Sequence, residues 1–209
     1  MKLYQRKRKA ADIQVHEEVV MDIILVISAG LAVVLYIWYA KIVARRNTAG
    51  EALSGIDVQL TKRSELIPNI LAIAKKFMEH EKELLEEVTK LRSKATAGYD
   101  ALDPKQVAKH FEDAAVLGAQ MGKLMVSMEA YPDLKSDKTM VQAQKTYNEV
   151  EAQIAAARRF YNSAVSDLNN SIEIFPGSLL APLANSRVMP FYEGDAASRE
   201  PVDAAKLLG

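Results

Sequence analysis

The chain has 209 residues, and its 27 Lys+Arg balance 27 Asp+Glu to leave no formal net charge. A neutral chain lacks the basic footprint expected of a nucleic-acid binder. The absence of cysteine excludes disulfides, thiolate zinc sites and a Cys nucleophile.

Residues 1–22 form a basic and mixed lead-in. Lys2, Arg6, Lys7, Arg8 and Lys9 cluster at its start. They read as a segment facing anionic lipid or as an ordinary solvated tail. Residues 10–22 alternate apolar and acidic side chains and suit a short helix or an unsettled stretch.

Residues 23–40, IILVISAGLAVVLYIWYA, carry no charge and lie between Asp22 and Lys41. As a helix the run is about 27 Å long, close to the ~30 Å hydrocarbon thickness of a bilayer. Tyr36, Trp38 and Tyr39 crowd one end, where an aromatic belt belongs. A transmembrane helix is predicted. The alternatives are a buried helix of a soluble core, which would show a polar face, and a cleaved signal peptide. The acidic residues ahead of the run and the lack of a small-x-small site speak against the latter. Arg6, Lys7, Arg8 and Lys9 on the N-terminal side slightly outnumber Lys41, Arg45 and Arg46 on the other. By the positive-inside rule this leans toward an inside N-terminus and a periplasmic bundle.

A helical bundle is expected over residues 41–193. No proline interrupts Lys41–Ser64, so the membrane helix is expected to run on, with part of it projecting from the bundle near the bilayer. Gly50 and Gly55 weaken that helix without ending it. Pro68 is expected to kink or restart it. Beyond it, Ile67, Ile70, Leu71, Ala74, Phe77, Met78, Leu84, Leu85, Val88, Leu91 and Ala95 make a stripe of coiled-coil type. Asp103, Pro104 and Gln106 make a capping-box start for the next helix. Its stripe is Val107, Phe111, Ala114, Gly118, Met121, Met125 and Met128. Gly118 and Gly122 allow a close helix approach, and the methionines read as core filling rather than a ligand groove.

Pro132 forces a turn, and Ser136 is the expected cap of a third long helix. Its stripe is Tyr147, Val150, Ile154, Ala157, Tyr161, Ala164, Leu168, Ile172 and Phe175, and Pro176–Gly177 stops it. Leu179–Asn185 is expected as a short helix. Val188–Glu193 is expected to be extended and to fold back through Met189, Phe191 and Tyr192. Residues 194–209 read as a mobile tail. The fold class is therefore all-α: an N-terminal transmembrane helix followed by an up-and-down antiparallel bundle, with three long helices or four if the first splits at Pro68.

The search for chemistry returns no catalytic, cofactor or metal residue. His80, in GluHisGluLysGlu, has Leu84 where a helical zincin needs a second histidine. His16 and His110 have no ligand cluster in sequence, and no phosphate loop or nucleophile elbow is present. Two polar runs stand out instead: Asp57, Gln59, Lys62, Arg63, Glu65 and Asn69, then Arg158, Arg159, Tyr161, Asn162, Asn169 and Asn170. Asn162 and Asn169 are a heptad apart and share a face. Beside an apolar seam they are expected to make inter-helix hydrogen bonds that fix register. The alternative is a partner-binding strip.

These runs resemble the LemA family of bacterial membrane proteins. Three motifs carry the likeness: Asn47 with Ile56–Ile70, Glu129–Lys135, and Ala157–Pro176. The likeness as a whole extends over about residues 20–193. Leu168 stands where the family often has Tyr, Thr139–Met140 replaces a usual AsnPhe, and the lead-in is longer than usual. The resemblance implies a helical bundle without established catalytic activity, links to envelope processes, and a membrane metalloprotease of the HtpX type or a TPM-domain protein as partner. One branch of the family works in magnetosome membrane formation. Family descriptions often place the domain in the cytoplasm, against the charge count.

The candidate structural or interaction residues are Asn47, Asp57, Gln59, Arg63, Pro68, Asn69, Tyr131, Pro132, Arg158, Tyr161, Asn162, Asn169, Phe175 and Pro176. The expected function is a non-enzymatic scaffold or interaction protein of the inner membrane. Its partners are the bilayer and, through the anchor and Lys41–Ser64, further copies of itself. The alternatives are membrane remodelling by self-assembly and a metal-dependent hydrolase.

Overall fold

A computed structural model describes the backbone of residues 2–193 and the side chains from Val20 onward. The expected tail at 194–209 and the side chains of the basic lead-in lie outside the described residues. Six helices follow in order: α1 (Lys2–Ala74), α2 (Lys82–Ala95), α3 (Pro104–Met128), α4 (Pro132–Ser136), α5 (Lys138–Glu173) and α6 (Gly177–Leu180). No strand occurs among the described residues.

Long-range contacts fix the directions. Arg92 reaches Ser64 and Tyr99 reaches Asp57, so α2 runs back along α1. Gln120 bonds Glu87, while His110 stacks on Tyr99, so α3 runs antiparallel to α2. Arg63 pairs with Glu151 and Arg45 with Asp167, so α5 runs antiparallel to α1. The result is an up-down-up-down bundle of the expected class.

The apolar stretch within Val20–Ala74 has a mean hydropathy of 2.5 over its best window, and none of that window is buried. It is the one helix among the described residues that is long and apolar enough to cross a membrane. The bundle begins where it ends. Leu35 and Trp38 already pack against the core, and Ile42, Ala49, Ala52, Leu53, Ile56 and Leu60 lie inside it. Lys41–Ser64 therefore does not project from the bundle as expected. Its apolar residues recur every three or four positions, and α5 and α6 cover that face.

Pro68 does not split α1 into two helices. The helix runs through to Ala74, with Pro68 exposed on its surface. Proline removes the N–H that would bond the carbonyl four residues back. That carbonyl belongs to Ser64, and Arg92 Nε of α2 donates to it at 2.7 Å. The missing helix bond has become a tie between two helices.

The break falls instead at Lys75–Glu81, where sequence offers neither Gly nor Pro. Lys76 N–H and Phe77 N–H bond the carbonyls three residues back, tightening the last turn. The chain reverses there, and Met78 turns into the core. With the chain reversed, Leu85 and Val88 of α2 are buried in the same core as Met78. The stripe from Ile67 to Ala95 is thus shared by two helices.

Two further starts are close to expectation. Asp103 caps α3 by accepting from Lys105 N–H, and Gln106 reaches back to Asp100 N–H rather than to the cap's own amide. Asp137, not Ser136, caps α5, accepting from Thr139 and Met140 N–H. A carboxylate one residue later reaches both orphan donors, while Ser136 completes α4. Pro132 opens α4 at its first position rather than simply turning the chain.

The core divides in two. The membrane-proximal half gathers Ile42–Leu60 of α1, Val107–Ala114 of α3 and Ile154–Ile172 of α5, with Tyr161, Phe111 and Tyr192 inside it. The distal half gathers Ile67–Met78, Leu117–Met128 and Met140–Tyr147, with Leu134 of α4. Met78, Met121, Met128 and Met140 are buried there and Met125 packs at its edge, so the methionines fill core.

Candidate functional site

The first polar run lies on α1 where the two cores meet. Asp57 meets Tyr99 in the turn after α2 and His110 of α3, and Arg63 reaches α3 and α5. Arg63 is 3% exposed. Its Nη2 donates to the Ala114 carbonyl at 2.6 Å and its Nη1 to Glu151 Oε1 at 3.3 Å, while Nε is buried without a partner. A Cβ on Gly118 would lie 3.1 Å from Nη1, so this glycine makes room for the guanidinium. Gly122 faces open space and serves no close approach, contrary to expectation.

Nearly two turns nearer the membrane, Tyr99 donates its hydroxyl to Asp57 Oδ2 at 2.7 Å. The other oxygen, Oδ1, lies 3.2 Å from His110 Nε2 without hydrogen-bond alignment. The His110 ring stacks on Tyr99 with centroids 4.2 Å apart. Burial, then the Asp57 carboxylate, pushes the Tyr99 phenol well above its ordinary range. Tyr99 is therefore a fixed donor, not an incipient nucleophile. Tyr147 is pushed up by burial and the charge of Glu151, and Tyr161 by burial and the charge of Asp57. Gln59 Oε1 is buried without a partner.

The second polar run pins Val188–Glu193. Asn162 Nδ2 donates to the Tyr192 carbonyl at 3.0 Å, and its Oδ1 accepts from Tyr192 N–H at 2.8 Å. Asn169 does the same to Met189, at 2.9 Å in both directions. Each amide mimics a peptide group and pairs both backbone groups of one extended residue. Tyr161, fully buried, donates to the Pro190 carbonyl at 2.9 Å between them. The asparagines thus fix a strap, Val188–Glu193, and not another helix as expected. The strap's Tyr192 ring stacks on Phe111 of α3, with centroids 4.4 Å apart, so the strap fills the seam between α3 and α5.

A cleft of about 240 Å3 opens beside this junction, lined by Arg63, Gly118, Glu151, Arg158 and Tyr192 among others. It is where the two polar runs meet. The other candidate residues are dispersed. Asn47 is exposed next to Arg46, 3.4 Å from its Nη2. Asn69 lies in a distal groove between α1 and α5. Tyr131 packs on the distal core and precedes Pro132 at the start of α4. Phe175, expected as the last residue of the α5 stripe, is 73% exposed because α5 ends at Glu173. Pro176 is the flanking residue of α6, after a cis Phe175–Pro176 bond. Gly177 behind it has no room for a Cβ, which would collide with the Ser171 carbonyl.

Sequence reasoning missed Tyr99, Glu151 and His110 as partners of the first run, and Arg92 as the donor to the Ser64 carbonyl beside it. One signal was present: His110 sits between Val107, Phe111 and Ala114, at the edge of a core-facing stripe. Chemically the arrangement is a set of internal ties. Among the described residues no group of three or more His, Asp or Glu is placed to hold a metal ion.

The LemA family model matches residues 52–205, a stretch that takes in the Arg63 junction and both asparagine pins. Two curated magnetosome proteins, MamQ 1 and MamQ 2 of Paramagnetospirillum magneticum (strain ATCC 700264 / AMB-1), are each 29% identical over 91 residues, covering 44% of this chain and 34% of theirs. The aligned stretch spans about a third of those relatives.

Proposed function

From the premise that this chain belongs to the LemA family, we propose that it is a non-enzymatic interaction platform of the bacterial cytoplasmic membrane. The observation that carries this reading is α1. One helix runs unbroken through the exposed apolar stretch and on to the distal end of the bundle. From Lys41 to Ala74 it reaches about 50 Å at 1.5 Å per residue. A continuous helix is a stiff post, so the bundle stays at a set distance along the helix from the anchor. The polar groups that catalysis would need are engaged inside: Arg63 holds α3 and α5, and Asn162 and Asn169 hold the strap. That leaves exposed faces and shallow clefts for partner proteins, of which a membrane protease or a TPM-domain protein is the class the family suggests.

The charge count around the span supports an inside N-terminus and a periplasmic bundle. A reporter fused at Gly209 is expected to be active only outside the cytoplasm, and activity only inside reverses the orientation. Crosslinking of the full chain in native membranes, with mass-spectrometric identification, tests the platform. A reproducible protein partner that is lost on exchanging the bundle surface supports it. Turnover of a hydrolysable substrate that chelation abolishes argues for an enzyme instead.

Self-association is a second reading. The exposed span presents Ser28 and Ala32 at small-xxx-small spacing. Confinement to a membrane raises effective concentration, so a weak contact suffices. Native mass measurement in nanodiscs is expected to show oligomers, and monomers at every concentration remove this reading.

A further inference from the structure

Not every large apolar side chain at the membrane end of the bundle has a place in the core. Leu180, Ala181 and Ala184 pack inward from the α6 region. Ile174 is 58% exposed, Leu179 66%, and Phe175 and Leu183 73% each. All four sit in one corner, where α5 turns into α6. Solitary exposed apolar residues need no explanation, but a concentration of large ones marks a contact surface.

The position of this corner relative to the span follows from helix register. Arg45 Nη1 donates to the Asp167 carbonyl at 2.6 Å and lies 3.6 Å from its carboxylate. From that pair α1 and α5 run antiparallel with the same rise per residue. Stepping both toward the bilayer brings Glu173, the last residue of α5, level with Tyr39, and Ile174 and Phe175 follow it directly. Leu35 and Trp38 pack on the proximal core, which agrees, while Arg46 Nη1 donates to the Ala184 carbonyl at 2.8 Å, so the chain after α6 turns back toward the level of the cations. The corner therefore lies beside the aromatic belt of Tyr36, Trp38 and Tyr39. The next turns of α1 carry Lys41, held 5.0 Å over the Trp38 ring, with Arg45 and Arg46. Asp167 and Glu173 are the acids of α5 at that height. Apolar side chains at belt depth with cations just above match the profile of a bilayer boundary.

We propose that the α5–α6 corner is a second membrane contact. Ile174, Phe175, Leu179 and Leu183 enter the headgroup–acyl boundary of the leaflet from which α1 emerges. The occupant is lipid because the patch is continuous with the span and lies at its depth. Two points of attachment then fix the tilt of the bundle, which a single helix leaves free. This rests on the reading that residues 23–40 cross the bilayer, and the test separates the two.

The natural absence of cysteine permits single-site spin labels on the full chain. F175C and L179C are labelled in nanodiscs of phosphatidylethanolamine and phosphatidylglycerol, with V33C in the span and V126C on the distal surface as references. The readout is accessibility to oxygen relative to a water-soluble nickel chelate. At F175C and L179C this ratio is expected on the order of tenfold above V126C, approaching V33C, because hydrocarbon excludes the polar chelate. If V33C is lipid-like while F175C and L179C match V126C, the second contact is overturned and the span stands. If V33C also matches V126C, the span reading fails and takes the inference with it. Dipolar broadening at F175C that persists on dilution with lipid places a second copy on the patch, and also overturns it.

Discussion

The two halves of the bundle are built on different principles. The distal core is filled by Met78, Met121, Met128 and Met140 among aliphatics. Methionine is unbranched and adaptable, so volume matters there more than shape. The proximal core is specified by direction. Phe111 meets Tyr161 edge-on at 5.2 Å and stacks on Tyr192, and Asn162, Asn169 and Tyr161 hold the strap by hydrogen bonds that leave no freedom of register. Arg63 sits between the halves and ties α1 to both α3 and α5. The contrast teaches where precision is wanted: in the half beside the apolar span, where the strap Val188–Glu193 must be held in one register.

The sharpest way to break that division is at the junction. Arg63→Ala is expected to lower stability by about 3 kcal/mol, since it removes a buried partner; Glu151 can rehydrate, which keeps the cost at the lower end for such pairs. Urea denaturation measures it, and hydrogen exchange should rise in both halves together. Exchange rising in one half alone would show that Arg63 does not couple them.

Asn169→Ala is expected to cost about 2 kcal/mol, because a backbone N–H and a carbonyl of Met189 both lose their partner. Its signature is local: faster amide exchange at Met189 and Tyr192, with the distal core unaffected. Equal acceleration in the distal half would contradict the division drawn above.

Arg92→Met should cost about 1–2 kcal/mol, by leaving the Ser64 carbonyl without a donor. Pro68→Ala in that background returns a backbone N–H to the same carbonyl, and the double variant should regain the lost melting temperature. Failure of the rescue would mean that the Arg92 contact does not compensate for Pro68.

The smallest effect belongs to the distal core. Met140→Leu is expected to cost less than about 1.5 kcal/mol, as volume-conserving swaps do. A loss matching that of Asn169→Ala would show the distal half to be as strictly shaped as the proximal one.

By itself the sequence determined the apolar span, the helical stripes, the capped start of α3 and the shared face of Asn162 and Asn169. These features depend on residues within a turn or two of each other, so local spacing encodes them. Only the tertiary structure decided what the asparagines hold, why Pro68 sits inside α1, and that the chain reverses at Lys75–Glu81. It also decided that Phe175 lies outside the core and that Tyr99, His110 and Glu151 complete the Asp57–Arg63 run. The reason is reach. Asn169 bonds a residue 20 positions away, Arg92 one 28 away and Arg63 one 88 away. A polar side chain announces in sequence that it needs a partner once buried, but packing alone selects which distant group arrives.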